Sequence, residues 1–242
     1  MAYTLQNTID WAQTFIEYSP LTAGNNNEPA VSVANMIIST ITSAPFTWAW
    51  NREEYDGLTL EGSPSPEQDY SIPITDFGFL EKVTLINAAG TYAFNVTDVY
   101  NTGALGVSVS KPAEPKGCSV HLVQYGINVT LRFIAIPDQN YDSVITYQKL
   151  IPDMSALGDP WPIPGQYKDI FNNLFAAEAY QAVDDDQQAQ RYRMRGVAAL
   201  LAKAEGLNEM QRNSVLAQFL VRGGQAQATQ LRTNQGTQAR GV

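Results

Sequence analysis

The chain has 242 residues, 44% of them apolar and only 16% charged, enough for a sizeable core and lean in charge for a protein that works alone. Its formal net charge is −9; residues 222–242 hold three arginines and no acid, so the remainder carries −12. So acidic a body excludes nucleic-acid binding by phosphate neutralisation, which needs clustered Lys and Arg, yet it suits a passage along which nucleic acid slides without sticking.

In chain order, residues 4–18 place Leu5, Ile9, Ala12 and Ile16 at helical spacing, with Trp11 and Phe15 widening the apolar side. A turn through Ser19-Pro20 and Gly24 to Asn27 leads to Glu28-Pro29, where Pro at a first helical position predicts a second helix. Val31, Ala34, Ile38 and Ile41 are its buried stripe and Pro45 ends it. The aromatic alternation of residues 46–52 predicts a strand, and Gly, Pro and Ser punctuate residues 57–68 as a loop. Further strands are expected over residues 70–74, 81–87, 92–100, 105–110 and 119–125.

Residues 128–136 and 143–150, joined through Pro137-Asp138-Gln139-Asn140, predict a hairpin. Val129, Leu131, Phe133 and Ala135 alternate there with Thr130, Arg132, Ile134 and Ile136. Residues 157–165, with Pro160, Pro162 and Pro164, read as a rigid extended connector. A helix over residues 166–183 carries Tyr167, Ile170, Phe171, Leu174, Phe175 and Ala177, and Asp184-Asp185-Asp186 breaks it. The next helix, over residues 187–204, carries Ala189, Tyr192, Val197, Leu200 and Leu201 and closes at Gly206. Asn208 starts a last helix through Val221, with Met210, Val215 and Phe219 as apolar anchors. The three aspartates have no EF-hand spacing and read as helix caps, with no metal implied.

Cys118 is the only cysteine and His121 the only histidine, which excludes disulfide scaffolds and Cys/His zinc sites within one chain. Their odd spacing puts them on opposite faces of a strand, out of mutual reach as nucleophile and base. No Walker loop, HExxH or GxSxG is present, so neither an enzyme nor a cofactor is expected. With no apolar run long enough to span a membrane and no signal-type N-terminus, the expected place of assembly is a cytoplasm. Residues 223–242 are rich in Gln, Thr, Gly and Ala, with Leu231 and Val242 the only large aliphatics, too few to order the segment by themselves. Such a tail either stays disordered or folds on a partner. Arg222, Arg232 and Arg240 are too sparse for a nucleic-acid arm and suited to bidentate pairing with carboxylates of a neighbouring subunit.

The fold expected is α+β: a helical bundle formed by N- and C-terminal helices, with a β-rich insertion between them and an extended C-terminal tail. The expected boundaries are 1–44, 45–152, 153–221 and 222–242. This order resembles the head-to-tail adaptor proteins of tailed bacteriophages, the tail tubular proteins of short-tailed phages among them. The likeness is carried by Asn27-Glu28-Pro29-Ala30, the run Pro45-Phe46-Thr47-Trp48-Ala49-Trp50-Asn51-Arg52, and Thr75-Asp76-Phe77-Gly78-Phe79-Leu80-Glu81-Lys82-Val83. It continues in Leu131 to Asp138, Thr146-Tyr147-Gln148-Lys149, Ile163-Pro164-Gly165-Gln166-Tyr167 and the aspartate break.

The resemblance implies a virion neck protein, a ring of twelve copies beneath the portal protein and above a tail or nozzle protein, with genomic DNA passing through its lumen. It also implies that the tail binds the portal, through Arg222, Gln225, Gln227, Gln230, Leu231, Arg232, Gln235 and Arg240. Two alternatives remain. One is another neck or tail ring component, such as a tail terminator or stopper. The other is a carbohydrate-binding or glycan-cleaving β protein, in which Trp48, Trp50 and Tyr55 stack on sugar rings beside the carboxylates of Glu53, Glu54 and Asp56. Against the latter stands the plainer reading that these aromatics fill the β core.

Overall fold

A computed structural model describes residues 3–16, 18–22, 27–62, 67–96, 98–100 and 112–217. It is a mixed helix-and-sheet protein that divides into two compact units: residues 1–46 with 152–242, and residues 47–151.

The first unit is helical. Helix α1 (Leu5–Gln13) starts in a capping box, in which the Thr4 hydroxyl accepts from the Asn7 amide and the Asn7 side chain accepts from the Thr4 amide. It buries Leu5, Ile9 and Ala12 of the expected stripe, together with Thr8; Ile16, the fourth expected residue, is buried just beyond the end of the helix. Helix α2 (Ala30–Thr42) buries Ala30, Val31, Ala34, Ile37, Ile38 and Ile41. Pro29 precedes it as the cap residue, after a cis Glu28–Pro29 bond, and is not its first helical residue; Glu28 instead accepts from the Ser32 amide and hydroxyl. Helix α3 (Lys168–Gln181) buries Ile170, Phe171, Leu174, Phe175, Ala176, Ala177 and Ala179, most of its circumference, because α1, α2 and helix α4 (Asp186–Lys203) all pack on it. Residues 209–217 form a fifth helix, α5.

The connector before α3 is held by side chains. Asn35 exchanges two hydrogen bonds with the Met154 backbone, and the Asp159 carboxylate accepts from the Ser155 and Ala156 amides. Those donors hold the Asp159 carboxyl below its ordinary range. Residues 155–159 are therefore a turn that overlaps the start of the extended segment expected over residues 157–165.

The second unit is two four-stranded sheets around one shared core. The first has the order β1 (Arg52–Leu60), β8 (Tyr141–Lys149), β3 (Phe77–Asn87), β4 (Ala93–Asn95), all antiparallel. The second has the order β2 (Asp69–Ile72), β7 (Asn128–Ile134), β6 (Gly117–Gln124), β5 (Asp98–Tyr100), with β5 parallel to β6. Leu80, Val83, Leu85, Tyr141 and Ile145 from one sheet meet Ile72, Cys118, Val129, Leu131 and Phe133 from the other.

Three expectations are corrected here. The expected hairpin of residues 128–150 does not form: β7 pairs with β6 and β2, whereas β8 pairs with β1 and β3. The alternation of Val129, Leu131 and Phe133 with Thr130, Arg132 and Ile134 is as read, but residues 135–140 carry the chain across to the opposite sheet, with Ala135 at φ +90°. The hairpin is β6–β7, turning at Tyr125-Gly126-Ile127, where Gly126 takes φ +77° that a side chain would resist. Second, the strand expected at residues 46–52 is a 3-10 turn, Ala49–Asn51, and the strand begins where it ends, running through Gly57 to Leu60 in place of the expected loop. A bulge between Tyr55 and Leu58 accommodates Gly57. Third, Met210 is no anchor, being 77% exposed, although Val215 is buried. The strand expected over residues 105–110, Phe219 and all eight tail residues from Arg222 to Arg240 lie outside the described residues.

Candidate docking surface

The feature that calls for explanation lies in the helical unit. Helix α1 turns Leu5, Ile9 and Ala12 into the core, which leaves Trp11 on its flank and Phe15, four residues on in the turn that ends the helix, beside it, both half-buried. Tyr180 in the last turn of α3 and Tyr192 in the second turn of α4 complete a cluster. Phe15 lies 5.5 Å from Tyr192 with the rings 3° from parallel, and 6.2 Å from Tyr180. Tyr180 and Tyr192 stack at 5.3 Å, and Trp11 meets Phe15 edge-on at 4.8 Å. All four rings are half-buried, and Tyr18, 85% exposed, stands next to them in sequence.

The α3–α4 turn fixes this geometry. Asp184 takes φ +58° and the Asp185 carboxylate caps α4 by accepting from the Gln188 amide, which is the capping role expected of the aspartates. The buried Arg193 donates from α4 to Glu178 and Gln181 on α3, at 3.1 and 2.5 Å. On the other side, the Ser19 hydroxyl donates to the Ala179 carbonyl and ties the segment after α1 to the end of α3.

Cations edge the cluster. The Arg195 guanidinium lies 5.3 Å from the Tyr192 ring centre, a cation–π distance, and Arg191, one turn earlier, is exposed. Burial pushes the Tyr180 hydroxyl up, assisted by Tyr192 and Asp185 and opposed by Arg191. Chemically the surface offers ring edges, two tyrosine hydroxyls and guanidinium groups, with the Asp185 carboxylate at its border. Aromatics with Arg are the composition of interface hot spots, and this cluster sits at the rim of the helical core, mostly buried with its ring edges still accessible.

The other sequence candidates are placed elsewhere. Cys118 is fully buried and desolvation pushes its thiol up to about 12, while His121 is exposed at a β6 bulge beside Arg132, so the two do not meet. Trp48 is 2% exposed and Glu53 pairs with Lys149 at 3.1 Å, so Trp48 offers no face to a sugar. A recess of about 260 Å³ in the same unit is lined by Thr59, Glu61, Glu67 and Tyr70, and by none of the residues of the sugar reading. Among the described residues no helix is long and apolar enough to cross a membrane, and no three His, Cys, Asp or Glu side chains converge to hold a metal. Tyr180 escaped the sequence reading, and Tyr192, Trp11 and Phe15 entered it only as core-facing residues. Their excess over what one helix face can bury was the available signal. In comparisons with known proteins, no family model and no curated protein matches the chain.

Proposed function

We propose that the protein is a structural component of a bacteriophage neck, a head-to-tail adaptor that assembles as a ring of twelve beneath the portal and continues the DNA channel toward the tail. In this reading the helical unit is a bundle built from both chain ends, and residues 47–151 are a domain inserted into it. The observation that carries the reading is the partly buried rim cluster of Trp11, Phe15, Tyr180 and Tyr192, edged by exposed arginines, on a protein lean in charge. It supports a life in contact with other subunits. The acidic balance suits a lumen that DNA traverses without adhering.

The tail, from Arg222 through Gln225, Gln227, Gln230, Leu231, Arg232, Gln235 and Arg240, is the proposed portal-binding element. It would order only on the portal, so the cost of ordering keeps premature assembly weak. Deleting residues 222–242 tests this: the shortened protein should remain folded and soluble and fail to join portal rings in sedimentation. Normal incorporation of the truncated protein would refute the role of the tail.

A further inference from the structure

A closed ring needs two different, complementary surfaces on each subunit. The aromatic cluster is one; the other must be an exposed apolar group flanked by negative charge, to match ring faces edged by Arg191 and Arg195. Met210 fits. At 77% exposed it is, after Tyr18, the most exposed large apolar side chain recorded in the helical unit, and its neighbour Glu209 is exposed too.

The backbone beneath this knob is held in place. Asn208 and Gln211 exchange hydrogen bonds at 2.8 and 3.0 Å in a reciprocal cap that fixes the first turn of α5. Arg212 donates to the Leu207 carbonyl and, at 3.0 Å, to the Leu201 carbonyl on α4. Val215 is buried beneath. The backbone that carries Met210 is thus fixed while its side chain stands open to solvent, so docking would have to order the side chain but not the main chain. Its own cluster is not that partner, because Tyr192 and Lys203 are separated by about 16 Å of helix axis, which places knob and cluster toward opposite ends of α4.

Resting on the ring reading, we infer that the occupant of the aromatic cluster is a second copy of this chain: Met210 of one subunit seats on the Tyr192 and Phe15 rings of the next, with Glu209 between Arg191 and Arg195. Thioether against ring is a favourable contact, and desolvation on docking strengthens the Arg–Glu pair. The contact is head-to-tail by construction, since cluster and knob are different surfaces.

The test uses the full chain carrying Arg195→Cys and Glu209→Cys together, both at exposed positions, oxidised at high protein concentration with portal rings present; the buried Cys118 does not compete. The double variant should give a ladder of disulfide-linked dimers, trimers and larger species on a non-reducing gel. Either single variant, or their equal mixture, should stop at the dimer. Adding Tyr192→Ala to the double variant should reduce the species above the dimer by more than about tenfold, the loss expected on truncating a hot-spot aromatic. If the double variant stops at the dimer while a lysine-reactive cross-linker still yields higher oligomers of wild type, this interface is wrong and the ring stands. Unchanged yield with Tyr192→Ala also overturns the interface. If neither reagent yields oligomers even with portal rings present, the ring reading falls with it.

Discussion

Gln148 offers the sharpest test of how the second unit is held together. It is a fully buried polar side chain on the central strand β8, on the face away from the sheet core, where the turn at Trp48 covers it. Its Oε1 accepts from the Trp48 amide at 3.1 Å, and its Nε2 donates to the Trp48 carbonyl at 3.3 Å and to Glu81 Oε2 at 2.8 Å. Glu81 is in turn held by Arg52 through both carboxylate oxygens. Gln148→Met keeps the approximate volume and removes all three bonds. Two neutral bonds at about 1 kcal/mol each and one to a carboxylate at about 2 kcal/mol give a loss of about 4 kcal/mol. For a unit of roughly 100 residues at 4 °C or more per kcal/mol, its Tm should fall by about 15 °C. Scanning calorimetry of the full chain measures this.

Gln148→Glu separates the polar network from simple packing. It puts a second carboxylate against Glu81, raising the pKa of the pair in the folded state. A carboxyl whose folded pKa lies above its unfolded value loses stability as pH rises through the folded value, so the deficit of Gln148→Glu should grow toward neutral pH and shrink in acid. The deficit of Gln148→Met should not vary in that way. A Tm loss under about 4 °C for Gln148→Met, equivalent to about 1 kcal/mol, or a pH-independent deficit for Gln148→Glu, would refute the network as the clamp between Trp48 and the sheet.

Gly196→Ala should destabilise the helical unit by about 1–3 kcal/mol in denaturant titration despite the better helix propensity of Ala, because its Cβ would lie 2.8 Å from Leu174 Cγ and 3.2 Å from the Leu174 backbone nitrogen. A gain in stability would mean that α3 and α4 have room to part. With its thiol pushed up to about 12, Cys118 should be in thiolate form about one part in ten thousand at pH 8 and should react with an aromatic disulfide only after denaturation; stoichiometric labelling of the native protein within minutes would contradict its burial. Arg132 holds Asp69 through two bonds of 2.6 Å and keeps its carboxyl below the usual range, first by hydrogen bonding and then by charge. The pair is part-exposed and contributes less than about 1 kcal/mol; that stability is complete above the unfolded Asp value near ~4 and disappears as pH falls through the lowered one. Arg132→Gln and wild type should therefore differ slightly in Tm at pH 7 and converge in strong acid.

What the sequence makes legible is what repeats along one element. The α1 and α2 stripes, the Val129-Leu131-Phe133 alternation and the aspartate cap are local patterns, and each one sits on the face its period assigns. Strand pairing is not local. The loop at residues 137–140 has turn chemistry whether it joins neighbours in one sheet or carries the chain between two, so the hairpin signal could not tell them apart. Arg52–Leu60 is a strand despite Glu53, Glu54, Asp56 and Gly57 because its ladder partner is the central strand β8, which pairs on both sides. The aromatics before it cover that strand: Trp48 is buried over Gln148, a contact a hundred residues distant in sequence.

The candidate surface was half legible for a related reason. A count of apolar side chains per helix turn predicts which face is inward, and on α1 it correctly gave Leu5, Ile9 and Ala12; it does not say how wide a face the neighbours can cover. The width is set by α3, buried around most of its circumference, and by Gly196, where α4 closes on Leu174. With the helices drawn that close at Gly196, the bulky Trp11, Phe15, Tyr180 and Tyr192 gather at the rim and are only partly covered. Small residues inside and large rings at the edge are thus one arrangement. It predicts a coupling: Gly196→Ala, by forcing α3 and α4 apart, should loosen the Tyr180–Tyr192 stack and weaken self-association more than its stability loss alone accounts for. Sedimentation of that variant, compared with one equally destabilised in the second unit, measures the difference. Equal association of the two would separate the core of the helical unit from its surface and refute the coupling.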